Sequence, residues 1–312
     1  MTNDNVTEHA VTFTSDGLAL AGTLTTPATK TPSPVVLMLP GSGQTDRNDN
    51  AKRLPVDLFP QLVPALTARG IATFSYDKRG VGASEGDYWS TGFNDTTADA
   101  AAAVAWLAQH PEVDSTRIFV LDHSEGALHA VRLAAGGAAV AGAILLAGST
   151  KTGEEAMVWQ GRTIASTLTG FNKALIRFLR VDVVKAQQKT LNRLKATTAD
   201  VTRIQLQKIN AKWMREFLTY DPTADLAKVQ VPTLAITGEK DIQVDPSDLA
   251  RMANLITQPF ESHKIPGVTH LIRDDPNDAG LKGYKAQAAR PVDGRVITLV
   301  AEWLKAHVDS EK

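Results

Sequence analysis

The sequence contains no cysteine. Disulfide frameworks, cysteine-ligated zinc or iron–sulfur centres and thiol nucleophiles are therefore excluded. Charge of either sign is not in excess: 33 Lys and Arg stand against 34 Asp and Glu, a formal net charge of −1. That balance gives no general electrostatic ground for a nucleic-acid partner, and none is expected. Sustained hydrophobic runs are missing as well. The 18 uncharged residues between Arg132 and Lys151 (LAAGGAAVAGAILLAGST) are rich in Gly and Ala. They read better as a helix end, a Gly turn and a short buried strand than as a membrane span. The opening residues, MTNDNVTEHA, lack the basic and apolar regions of a secretory leader. A soluble cytoplasmic protein with no stable membrane association is expected.

What is present suits a globular enzyme. The chain has 312 residues, 43% of them hydrophobic, enough for one large α/β domain or a core domain with an inserted lid, and too apolar for disorder. Extended segments open it at 11–16 and 18–27, followed by apolar-led segments at 34–41, 71–80, 117–126, 140–148 and 231–241 and a further expected strand at 260–267. Helical patterns alternate with these: 58–70, the Ala-rich 96–110, 126–133, 246–256 and 292–308. Alternation of that kind predicts a doubly wound, mostly parallel sheet covered on both faces. Residues 151–220 interrupt it with helix-compatible sequence and no convincing strand. The expected organisation is a core of residues 1–150 and 221–312 with a helical cap inserted at 151–220. That insertion holds 13 Lys and Arg against 5 Asp and Glu, a net of +8, leaving −9 for the rest. Solvated helix faces are one explanation of this excess; attraction of an anionic substrate or membrane surface is the other.

The chemistry concentrates in RIFVLDHSEGAL, residues 117–128. An apolar strand runs into His123-Ser124-Glu125-Gly126 and continues as an Ala/Leu-rich helix. A serine at such a strand-to-helix turn projects its hydroxyl from the sheet edge, and the next N–H groups point at any anion forming beside it. Together with the Gly-rich LPGSGQTDRNDN (39–50), SYDKRGVGASEG (75–86) and ITGEKDIQV (236–244), this resembles the α/β-hydrolase superfamily. The PGSGxxDR loop, the SEG elbow and WMREFLTYDP resemble a bacterial serine-esterase subgroup with a helical cap. One position departs from the superfamily pattern G-x-S-x-G: Asp122 stands where the first glycine belongs.

The resemblance implies an α/β-hydrolase fold and a serine hydrolase acting through Ser124, Asp241 and His270. Asp241 follows an apolar strand, with Asp245 as the fallback acid. In such hydrolases the histidine follows the acid, leaving His263, His270 and His307. His263 falls in an expected strand and His307 in the last helix, so His270 is the expected base. The oxyanion would be held by the backbone N–H of Glu125 and that of Ser42, with Gly43 the alternative donor. Gly43, His123 and Trp213 are the remaining candidates for substrate contact. Asp77 and Arg79 are expected to brace the rim, and Asp46 and Arg47 to form an ion pair ordering the loop. In the cap, Phe171, Leu175, Phe178 and Leu179, and Trp213, Phe217 and Leu218, recur at helical spacing. Lys173, Arg177 and Arg180 lie near the first of these stripes. The expected substrate is a small-molecule carboxylic ester of small to medium acyl length, cleaved through an acyl-enzyme with no metal or organic cofactor. Amidase, peptidase or thioesterase chemistry on the same residues stays open, as does a catalytically silent binding scaffold.

Overall fold

In the computed structural model, residues 6–28, 32–167, 183–204, 206–277 and 280–309 are described. Strands β1 (Val6–Ser15) and β2 (Leu18–Pro27) form an antiparallel hairpin. Its two-residue loop, Asp16-Gly17, has both φ values positive (48° and 78°), which matches the right-handed strand twist. The remaining strands are β3 (Ser33–Leu39), β4 (Ala72–Tyr76), β5 (Val113–His123), β6 (Gly142–Leu146), β7 (Val201–Ile204), β8 (Gln207–Asn210), β9 (Thr233–Gly238) and β10 (Phe260–Ile265). Eight of them build one sheet in the order β1-β2-β4-β3-β5-β6-β9-β10, parallel from β4 to β10.

Buried strands explain the apolar runs. Along β3, Val35, Leu37 and Leu39 face one core while Val36 and Met38 face the other, so both sides of the pleat are covered. The first core is closed by α2 (Phe93–Leu107) and α3 (Glu125–Ala135), through residues such as Val104 and Val131. The second is closed by α1 (Leu58–Thr67), through Phe59 and Leu62, and by the last helix, through Val300 and Leu304.

Between β6 and β9 the chain forms α4 (Gly153–Ser166), α5 (Val183–Ala196) and α6 (Ala211–Thr219), with α7 (Thr223–Leu226) leading back to the sheet. Leu191, Leu194, Ala211 and Leu218 form a third, separate apolar cluster there. The expectation of an all-helical insertion is corrected at one place. β7 and β8 pair as an antiparallel hairpin whose turn carries Leu206 at φ 67°, without the Gly or Asn that announces such a turn. Phe171, Leu175, Phe178, Leu179, Lys173, Arg177 and Arg180, expected in a cap, lie outside the described residues. After β9 come α8 (Asp248–Leu255), α9 (Tyr284–Ala288) and α10 (Gly294–Asp309). No helix among the described residues is long and apolar enough to cross a membrane.

Candidate active site

β5 ends at His123, α3 begins at Glu125, and Ser124 between them has φ 57° and ψ −112°. That is a left-handed φ in a residue with a side chain, a conformation costing about 1–3 kcal/mol. It is held by the Ser124 N–H donating to the Leu146 carbonyl at 2.9 Å. Gly126 is required by contact: a Cβ there would sit 2.4 Å from the Leu39 carbonyl oxygen on β3. Asp122, in the place of the pattern's first glycine, is fully buried, and its Oδ1 accepts the Leu39 N–H at 2.9 Å. Its Oδ2 has no hydrogen-bond partner among the described residues. Burial pushes its carboxyl well above the usual range, which favours the neutral acid at this place. The extra bulk and polarity are thus absorbed by β3, and the turn keeps its shape.

Three distant segments meet at this turn. His270 Nε2 lies 3.1 Å from Ser124 Oγ, and His270 Nδ1 lies 2.8 Å from Asp241 Oδ2. Asp241 Oδ1 accepts the N–H groups of Gln243 and Val244 at 2.7 and 2.9 Å, which fixes the carboxylate in the loop after β9. The loop carrying His270 is tied by Thr269 and Arg273 backbone bonding at 2.9 Å. The wholly buried Arg273 donates to the carbonyls of Leu271, Val56 and Arg290. Burial lowers the Arg273 guanidinium to about 10. Asp245, the fallback acid, instead accepts from Ser247 and Lys151.

His123 does not line the cavity, which corrects its expected role in substrate contact. Its ring is buried with both nitrogens facing acceptors: Nδ1 is 2.7 Å from Asp49 Oδ2, and Nε2 is 2.9 Å from the His270 carbonyl oxygen. With Asp49 ionised, two acceptors call for two N–H groups, the doubly protonated form of the ring. Burial disfavours that charge, but the Asp49 carboxylate outweighs it and raises the His123 pKa above its ordinary value. Asp49 Oδ1 also accepts the Gly41 N–H at 2.8 Å. One carboxylate therefore joins the Gly-rich loop, the elbow and the His270 loop. No local pattern around Asp49 announces this, because its partners lie 8 and 74 residues away.

The Gly-rich loop packs against the elbow: a Cβ on Gly41 would lie 3.5 Å from Ser124 Cβ. The N–H groups of Ser42, Gly43 and Glu125 donate to no acceptor among the described residues. Arg47 reaches Asp77 (2.6 Å) and not Asp46, so the expected Asp46–Arg47 pair is corrected. Adjacent side chains diverge, and Asp46 Oδ1 instead accepts the N–H groups of Asn48 and Asn50. Arg79 braces α2 and the first hairpin through Asp99 and Asp16.

Beside Ser124 lies a cavity of about 650 Å³. Ser42, Gly43, Glu125 and Trp213 line it, with Leu128, Met157, Met214, Phe217 and Val244 supplying apolar wall. Trp213 stacks on Phe217 (4.7 Å, 15°) and donates through Nε1 to Glu125 Oε1 at 3.0 Å. Burial would raise the Glu125 carboxyl, but Lys78, His129 and Trp213 outweigh it and hold the group at about 2. Asn210 fastens α6 over the site. Its Oδ1 accepts the Trp213 N–H, and its Nδ2 donates to the carbonyls of Tyr88 and Thr91.

A mostly parallel eight-stranded sheet with a serine at the β5–α3 turn, beside a histidine and a carboxylate from later loops, defines the α/β-hydrolase fold. Solved structures agree on the fold. The α/β-hydrolase GrgF from Penicillium sp. sh18 aligns over 96% of this chain and 99% of its own, at 19% identity and TM-score 0.63. Est1E from Butyrivibrio proteoclasticus, solved with ferulic acid, aligns over 96% and 98%, at 18% identity and TM-score 0.62. The family model described as serine aminopeptidase, S33 (Hydrolase_4) matches residues 56–277, and the chain belongs to that family. Esterase EstD of Thermotoga maritima is 26% identical over 291 residues, covering 91% of this chain; the chain spans 65% of that relative's length. Ser124, Asp241 and His270 fall inside the family match, whereas Ser42 and Asp49 precede it.

Proposed function

We propose that this protein hydrolyses carboxylic esters of small to medium acyl groups, with Ser124 as nucleophile, His270 as general base and acid, and Asp241 as the group orienting His270. The observation carrying the proposal is the continuous hydrogen-bond line from Ser124 Oγ through His270 to Asp241. His270 Nε2 takes the Ser124 proton as Oγ attacks the acyl carbon, while Asp241 Oδ2 accepts from Nδ1–H and stabilises the imidazolium. The N–H groups of Ser42 and Glu125 receive the oxyanion, with Gly43 the alternative. His270 then gives its proton to the leaving alkoxide, and water activated by the same nitrogen releases the acid. Residues 151–220 act as the cap that closes the apolar cavity above Ser124. A cytoplasmic setting belongs to this reading and suits a cysteine-free chain of near-neutral charge.

The esterase names of EstD and Est1E support ester chemistry. A peptidase reading has its own observation: Glu125 Oε2 is buried beside the cavity without a hydrogen-bond partner among the described residues, and a substrate amine or amide N–H would complete it. Matched oxygen esters, thioesters and anilides of one short acyl group decide between them. Ester turnover is expected to dominate and to fall about 10⁴-fold or more in Ser124→Ala. Preference for the anilide, or ester turnover surviving in Ser124→Ala, would overturn the reading.

A further inference from the structure

The charged residues around the cavity divide by depth. Glu125, the one carboxylate lining it among the described residues, is buried and neutralised by Lys78 at 3.6 Å. Lys151 is spent on Asp245 and Asp248 at 2.9 and 2.7 Å. The other charged lining residues are Lys52, Arg53 and Lys208, all exposed. Among the described residues none of these three pairs with a carboxylate. They come from two separate parts of the chain, the loop after the Gly-rich turn and strand β8. Lys208 lies 4.5 Å above the ring of Trp89, which also faces the cavity. The mouth thus carries single-sign charge over an apolar interior, and low-dielectric walls strengthen such a field.

From this arrangement we infer that the substrate is an amphipathic ester bearing an ionised acid group of its own. Its apolar body fills the cavity over Ser124, and its anion meets Lys52, Arg53 and Lys208 at the mouth. The inference rests on the proposed esterase reading for the location of the scissile bond. It names a substrate class that the Ser124–His270–Asp241 arrangement cannot specify, because those groups act only on the acyl carbon.

The test uses matched pairs differing by one charge. 4-Butanoyloxybenzoate is compared with its methyl ester, placing the carboxylate on the alcohol. Methyl hydrogen adipate is compared with methyl hexanoate, placing it on the acyl group. At low salt at least one anionic member is expected to show kcat/KM about tenfold above its neutral partner, carried by KM and shrinking as salt rises. In the triple variant Lys52→Gln, Arg53→Gln, Lys208→Gln, checked for folding by its thermal melt, the ratio is expected to fall to about one. Binding of the same four compounds to Ser124→Ala by calorimetry should rank them alike. Equal rates within both pairs, with turnover intact, would overturn this inference and leave the esterase reading standing. Absence of turnover in all four would defeat the esterase reading, and calorimetry would then still judge the anion site. Equal binding, or binding only to anionic phospholipid vesicles, would overturn it.

Discussion

Replacing Asp49 with Asn removes one charge and changes almost no volume, so it isolates what the buried His123 imidazolium depends on. The carboxylate serves two donors, Gly41 N–H at 2.8 Å and His123 Nδ1–H at 2.7 Å. An Asn side chain has one oxygen and one NH₂, so as long as His123 stays doubly protonated one of the two donors faces another donor. A buried donor left unpaired costs about 1–3 kcal/mol. Loss of the counter-charge takes the total toward the ~3–5 kcal/mol of a broken buried pair, unless His123 gives up its proton. We therefore expect about 3 kcal/mol of destabilisation in urea at neutral pH. A fall in kcat of about 10- to 100-fold with little change in KM should accompany it, because the positions of Ser42 and the His270 carbonyl depend on this link. The pH dependence separates charge from packing. In the wild type the His123 pKa is raised, so its stabilisation is full below the unfolded value and is lost as pH rises through the folded one. In Asp49→Asn burial, which lowers that pKa, is opposed only by the His270 carbonyl and Asp241, so acidification destabilises the variant relative to wild type. The gap between the two proteins should widen toward about pH 5 and narrow toward about pH 9. A gap below about 0.5 kcal/mol, or one that is flat with pH, would refute the imidazolium.

Other substitutions follow from the same contacts. Asp122→Asn keeps an oxygen for Leu39 N–H and removes a carboxyl whose raised pKa makes the fold lose stability as pH rises above the ordinary carboxylate range. The variant should be more stable than wild type at neutral pH, with the gain vanishing toward about pH 4 in thermal melts. Gly126→Ala places a Cβ 2.4 Å from the Leu39 carbonyl and should cost about 2–4 kcal/mol by denaturant titration, with loss of esterase activity as the elbow shifts. Asn210→Ala removes the cap of α6 and its two anchors on Tyr88 and Thr91. It should cost about 2 kcal/mol and raise KM more than it lowers kcat, since α6 carries Trp213 into the cavity wall.

The parts of the fold legible in the sequence were those written locally. Apolar runs of strand length between helical patterns mark the parallel sheet, and β3 shows why: every side chain there is buried on one face or the other. The serine turn is readable because strand, small residue and helix follow within a few positions; chain order then leaves three histidines, and the expected strand and helix holding His263 and His307 leave His270. The β7–β8 hairpin was not readable, since its strands are four residues long and its turn uses Leu206. Ion pairs were the least legible. Arg47 looked paired with its neighbour Asp46, but its partner Asp77 arrives from β4's far end, 30 residues on. His123 looked like a wall of the site from its place beside Ser124. Only the fold shows its ring turned away, onto Asp49 and the His270 carbonyl. Long-range electrostatics leaves no spacing to read.

The most direct test of the central claim is covalent labelling of the folded protein with a fluorophosphonate probe, with the adduct located by mass spectrometry. The account predicts a single adduct on Ser124, absent in Ser124→Ala and strongly slowed in His270→Ala. A folded wild type that stays unlabelled, or one labelled at another residue, would contradict an activated Ser124.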